Sequence, residues 1–167
     1  VFGAPVRWVV NTHAHFDHFL ASGEMQRLTG ATLCLHRDDL DLWTNLEAQC
    51  RMFGVPYVAV PLPEYWIKDE ERIMVGGVTV VGLHTPGHTP GSMSFHIPDE
   101  SVVLAGDTLF RGSIGRTDLW GGDFDAIERS IRERLYTLAD ETTVVTGHGP
   151  ETEIGVEKES NQFFRVE

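Results

Sequence analysis

The regular pattern of the chain begins with a short apolar run, Val6–Val10, which predicts a buried strand. It feeds straight into a polar cluster, Asn11-Thr12-His13-Ala14-His15-Phe16-Asp17-His18. From Ser22 to Leu28 the spacing turns helical and stops at Gly30, a residue suited to a left-handed helix cap. Ala31–Leu35 is strand-like. Arg37–Phe53 then carries Leu40, Trp43, Leu46 and Met52 at helical spacing up to Gly54, and residues 55–66, with three prolines, predict a surface loop.

The second half alternates differently. Arg72–Val75 and Val78–Leu83 flank Gly76-Gly77, and Ser92–Ile97 and Ser101–Ala105 flank Pro98-Asp99-Glu100, so two hairpins are expected. A glycine-rich loop runs from Gly106 to Gly122. Asp125 with Glu128 suggests a capping box, followed by a helix with Ile127, Ile131, Leu135 and Leu138 on one face. Thr142–Thr146 predicts a final buried strand, ending in Gly147-His148-Gly149-Pro150. Strands and helices without repeats or linkers indicate a single α/β domain over residues 1–167.

Composition narrows the function. The 167 residues hold 13 Lys and Arg against 25 Asp and Glu, a formal charge of −12, which disfavours nucleic acid and anionic membrane as partners. No apolar run reaches the roughly 20 residues of a spanning helix, and the first residues do not resemble a secretory leader. Two cysteines, Cys34 and Cys50, make no disulfide framework, so a cytoplasmic setting is expected. Cys34 falls in an apolar strand and is expected in the core.

The eight histidines matter most. His13-x-His15-x-Asp17-His18 places two imidazoles on the same side of an extended chain, close enough to share an ion. Imidazole with carboxylate suits zinc, iron or manganese. Further donors stand in matching contexts. His88 lies in the Pro/Gly-locked turn Thr85–Gly91, Asp107 in Gly106-Asp107-Thr108, and His148 in Gly147-His148-Gly149, each directly after an apolar strand. Ligands at the C-terminal ends of strands are expected to gather at one rim of a sheet. His36, His84 and His96 lack such contexts and are expected to be structural, with His84 a candidate for supporting the ligands.

Four segments, Thr12–His18 (THAHFDH), Pro86–Ser92 (PGHTPGS), Gly106–Phe110 (GDTLF) and Gly147–Pro150 (GHGP), resemble in order the motifs of the metallo-β-lactamase superfamily. Arg111–Leu119 (RGSIGRTDL), Gly121-Gly122-Asp123 and the closing stretch Glu151–Gly155 with Glu157-Lys158-Glu159 and Asn161 resemble its bacterial glyoxalase II-like (hydroxyacylglutathione hydrolase-like) branch. The resemblance implies an αββα sandwich with two divalent metal ions, most often zinc. His13, His15 and His88 would hold one ion, Asp17, His18 and His148 the other, with Asp107 bridging. It also implies a metal-activated water as nucleophile, with Asp17 orienting or deprotonating it, and an anionic thioester substrate, S-acylglutathione. Arg111 and Arg116 are the basic residues nearest these motifs that would pair a substrate carboxylate, with Asp118 and Asp123 competing for them.

Two rival expectations accompany this one. Persulfide dioxygenases of the same fold resemble the chain, including Gly115–Asp118, and would use one iron on His13, His88 and Asp107. A non-catalytic metal-binding member of the fold is the other, though the glycine loops around the ligands suit an open site rather than a closed structural one. Only twelve residues precede His13, where relatives carry several strands. A missing N-terminal segment or a second chain is therefore expected to complete the sheet.

Overall fold

The computed structural model describes residues 4–166. The described residues divide into two compact units, with the boundary between Ile67 and Lys68.

The first unit is a parallel βαβαβ arrangement. β1 (Trp8–Val10) is followed by two helices, the short α1 (Phe16–Phe19) and α2 (Ser22–Thr29). β2 (Thr32–His36) comes next, then α3 (Leu40–Thr44), α4 (Leu46–Phe53) and β3 (Tyr65–Ile67). β2 lies between β1 and β3 and is parallel to both, with Val9 opposite Leu33 and Leu35 opposite Trp66. Parallel neighbours require long crossovers, and the helical segments supply them. Gly30 and Gly54 cap α2 and α4 in left-handed conformation, where the spacing placed the helix ends. The core of this unit is Ala14, Phe19, Leu33, Leu35, Leu42, Trp43, Leu46 and Cys50, with Phe19 stacked on Trp43 at 4.1 Å between ring centroids. Cys34 is also fully buried.

Two expectations change here. The helical stretch 37–53 is interrupted at Asn45, whose side-chain amide turns back to Asp41 O at 2.8 Å. The predicted loop 55–66 ends early, because Tyr65 and Trp66 pair beside β2 as β3.

The second unit is a six-stranded sheet. β4 (Arg72–Val75) and β5 (Val78–His84) form the first hairpin through Gly76 and Gly77, at φ of 58° and 92°. β6 (Met93–Ile97) and β7 (Val102–Gly106) form the second, with Ile97 opposite Val102. The loop predicted over 106–122 contains a small hairpin of its own, β8 (Leu109–Phe110) with β9 (Ser113–Ile114). α5 (Phe124–Ser130) follows and widens to a π-turn, with Tyr136 N bonding Ile131 O at 2.8 Å. The chain then forms β10 (Thr143–Thr146), β11 (Thr152–Glu153) and α6 (Ile154–Ser160).

Strand order is β11-β10-β7-β6-β5-β4. Because β10 is parallel to β7, and β6 is antiparallel to both β7 and β5, the strands β5, β7 and β10 all point the same way. Ile127, Ile131 and Leu135 are fully buried against Val103, Ala105 and Val144 of this sheet, as the helical spacing indicated. The cap differs from the expected one. Asp123, not Asp125, is the N-cap of α5, accepting from Ala126 N at 2.9 Å, while Glu128 pairs with Arg132.

Candidate metal centre

In the first unit the histidine motif leaves the end of β1 and enters α1. Asn11 fastens the exit: its backbone and side-chain amides both reach Cys34 O at 3.0 Å, and Ser22 Oγ donates to Asn11 Oδ1 at 2.7 Å. Ala14, the residue between His13 and His15, is held by both its backbone groups. Ala14 N donates to Asp39 Oδ2 at 2.8 Å, and Ala14 O accepts from Gln49 Nε2 at 3.0 Å. Gln49 Oε1 takes Phe16 N at 3.0 Å. A motif loop pinned at successive peptides keeps its imidazoles in fixed positions.

His13 is fully buried and His15 is 9% exposed. The His13 ring lies 5.0 Å from that of His15 and 4.1 Å from that of His18, between centroids. His18 Nε2 is 3.6 Å from Asp17 Oδ2, and the Asp17 side chain is 39% exposed. The first unit thus gathers four of the expected ligands.

In the second unit His88, Asp107 and His148 follow β5, β7 and β10, and the common direction of these strands brings all three to one rim of one sheet. The expectation of a single rim for every ligand is corrected in part, since His13 follows a strand of the separate three-stranded sheet.

His88 is 3% exposed, and its Nδ1 donates to Arg116 O at 2.8 Å. That bond leaves the lone pair on Nε2, the arrangement typical of a metal-binding histidine. Asp107 Oδ2 lies 3.5 Å from His88 Nε2 and 3.6 Å from His148 Nε2. Both distances exceed an N–H···O bond, which runs to about 3.2 Å. Two donors held about 2.1 Å from one ion at a tetrahedral angle lie about 3.4 Å apart. The donor set therefore fits metal coordination, with one carboxylate oxygen facing two imidazole nitrogens.

The surroundings explain how a flexible-looking sequence holds this geometry. A Cβ on Gly115 would sit 1.8 Å from Asp107 O, so only glycine lets the two segments touch. Gly87, at φ +134°, packs so closely on α5 that a Cβ would meet Ile127 N at 2.2 Å. Gly87 O also accepts from Asp123 N at 2.8 Å, and Pro86 O from Ser130 Oγ at 2.7 Å. Beneath the rim, Thr85 Oγ1 meets Ser94 Oγ at 2.9 Å and Thr108 Oγ1 at 3.1 Å, tying β5, β6 and the Asp107 turn together.

The two arginines differ. Arg116 is held by both oxygens of Asp118 at 2.8 Å, and its guanidinium lowers Asp118 to about 2. Arg111 lines a cavity of about 350 Å³ with Glu151, Glu153 and Val156. The remaining histidines have structural contacts: His36 caps the turn at Asp38 N, His84 Nε2 meets Pro90 O at 2.9 Å, and burial lowers the pKa of His96. Asp39 and Gln49 were not visible as site residues from the sequence.

The profile of the "Metallo-beta-lactamase superfamily" matches residues 1–148. The chain belongs to that superfamily. Its fold is the α/β metallo-β-lactamase fold, and the coarse chemistry is that of a metallohydrolase. It is 37% identical over 159 residues to a "Probable metallo-hydrolase" of Bacillus subtilis, covering 93% of this chain and 74% of that protein. It is 38% identical over 155 residues to "Hydroxyacylglutathione hydrolase GloC" of Haemophilus influenzae, covering 92% and 73%.

Among solved structures it is similar to the BLEG-1 B3 metallo-beta-lactamase (TM-score 0.87, 36% identity, 95% of this chain and 77% of that one). It is also similar to TTHA1623 in a di-iron-bound form (TM-score 0.86, 38% identity, 96% and 78%). A third solved structure, ETHE1 from Myxococcus xanthus, matches with TM-score 0.77 at 28% identity over 96% of this chain and 63% of that one. Among the described residues no helix is long and apolar enough to cross a membrane.

Proposed function

We propose that residues 1–167 act as one metallo-β-lactamase-like domain that hydrolyses an anionic thioester of the S-acylglutathione type at a dinuclear metal centre, zinc being the first choice of metal. In this reading His13, His15 and His88 would hold one ion and Asp17, His18 and His148 the other, with Asp107 available to both. The observation that carries the metal centre is the single Asp107 oxygen facing His88 Nε2 at 3.5 Å and His148 Nε2 at 3.6 Å, each close to the roughly 3.4 Å between two donors on one tetrahedral ion. The similarity to hydroxyacylglutathione hydrolase GloC supports the substrate class.

Divalent ions held there would supply a water of lowered pKa and a Lewis acid for the carbonyl. The protein's own groups do the rest. Asp17, partly exposed beside His18, orients the attacking water and takes its proton at a carboxylate oxygen. A thiolate leaving group with a pKa of about 8.5 departs without a dedicated acid. Arg111 and Arg116 are the two candidates to pair a substrate carboxylate; Asp118 engages the Nε–Nη2 edge of the Arg116 guanidinium, and Arg111 lies beside Glu151 and Glu153. Cys34 and Cys50 are both buried thiols, which supports work in a reducing cytoplasm.

Purified protein assayed for metal content and for S-lactoylglutathione turnover tests the reading. Rapid thioester hydrolysis that is lost on chelation and restored by Zn²⁺ is the expected result. One iron per chain, no thioesterase activity and oxygen uptake with glutathione persulfide would instead establish the iron dioxygenase reading.

A further inference from the structure

Glu157 is fully buried in α6, far along the sequence from any expected ligand, and its carboxylate is completely engaged. Oε1 accepts from Thr152 Oγ1 at 2.6 Å. Oε2 accepts from Gly112 N at 2.9 Å and from Asn161 Nδ2 at 2.7 Å, and the same Asn161 amide donates to Ser113 O at 3.1 Å. Gly112 lies in the two-residue tip of the β8–β9 hairpin and Ser113 opens β9. A carboxylate is rarely buried this fully unless its hydrogen bonds fix something.

What the hairpin carries gives the reason. One foot leaves Asp107 and Thr108, and the other returns through Gly115 and Arg116. Gly115 packs directly on Asp107 O, with its N–H donating to Thr108 O at 3.3 Å. Arg116 O receives the Nδ1 proton of His88 at 2.8 Å. The hairpin is thus a bracket whose base touches two expected ligands and whose tip is tied to Glu157.

We propose that Glu157 is a positioning residue for the metal centre: through Gly112 and Asn161 it fixes the β8–β9 hairpin, and the hairpin fixes Asp107 and His88. This rests on the metal-centre reading above. The closing stretch Glu151–Asn161 then serves the site itself and not only the end of the fold. The effect is one of hydrogen-bond reach rather than charge. A neutral glutamine at 157 keeps an acceptor for Gly112 and Asn161, and its amide donates to the Thr152 hydroxyl. An aspartate keeps the charge but is one methylene too short to span from Thr152 to Gly112.

The test is Co²⁺ titration of metal-stripped protein, read by visible d–d absorption, with circular dichroism confirming that each variant is folded at the titration temperature. Glu157→Asp is expected to weaken Co²⁺ binding about tenfold or more, with an altered spectrum, while Glu157→Gln stays within about threefold of wild type. Should Glu157→Asp not fold, Thr152→Val deletes the 2.6 Å bond alone and is expected to weaken binding about tenfold. A folded Glu157→Asp, or in its absence Thr152→Val, with wild-type affinity and spectrum overturns the proposal. So does a Glu157→Gln variant as impaired as Glu157→Asp. Wild-type protein that takes up no Co²⁺ overturns the metal-centre reading as well, which separates the two failures.

Discussion

Asp39 and Gln49 grip the two successive peptides that join His13 to His15 through Ala14. Nothing in the sequence marks them. Asp39 sits beside Asp38 at the start of a helical stretch, where acidic residues are ordinary, and Gln49 occupies a helix position indistinguishable from its neighbours. The ligand candidates were legible because histidine is costly to cluster by chance and each falls after an apolar strand. Residues that hold the ligands act through backbone groups, so their chemistry leaves no motif. Asp39→Ala deprives the buried Ala14 N–H of its acceptor, which costs about 1–3 kcal/mol. A fall in Tm of about 3–9 °C is expected, measured by calorimetry. An unchanged Tm would mean that the clamp contributes nothing.

The elements that could be drawn from the pattern are those with one clean apolar face. α5 and the π-turn after it show Ile127, Ile131 and Leu135 four residues apart, all fully buried. β8, β9 and β11 have two residues each, too few to display a period. α6 escaped for a different reason: its buried face is Ile154 with Glu157, a charged residue where an apolar one would announce a helix. The N-cap of α5 was misplaced because Asp123 and Asp125 are chemically equal, and only backbone geometry separates them. Asp123→Ala is expected to destabilise the protein by about 1 kcal/mol and Asp125→Ala by a few tenths, compared by urea denaturation. Equal losses would contradict the assignment of the cap.

At the scale of the whole molecule, strand direction was harder to read than strand existence. The ends of β5, β7 and β10 converge because the hairpins and the parallel β7–β10 pair orient them alike. The sequence does not reveal that β1 belongs to another sheet, since an apolar run carries no record of its partner. Global stability carries its own signature of the C-terminal packing. Burial, reinforced by the Glu157 carboxylate, raises Tyr136 to about 12, where its hydroxyl donates to Phe164 O at 2.9 Å. The unfolded phenol titrates near 10. Stability from this group is therefore complete below pH 10 and is lost as pH rises from 10 through 12. The loss is about 1–2 kcal/mol once solvent screening is allowed for. Denaturation curves across that window are expected to show it in wild type and not in Tyr136→Phe; identical slopes would contradict it.

The central claim is that Asp107 serves two ions, one with His88 and one with His148. Metal stoichiometry of purified wild type and His148→Ala, measured side by side by plasma mass spectrometry, tests it most directly. About two divalent ions per wild-type chain, falling to about one in His148→Ala, is the predicted result. Equal metal content in the two proteins would contradict it.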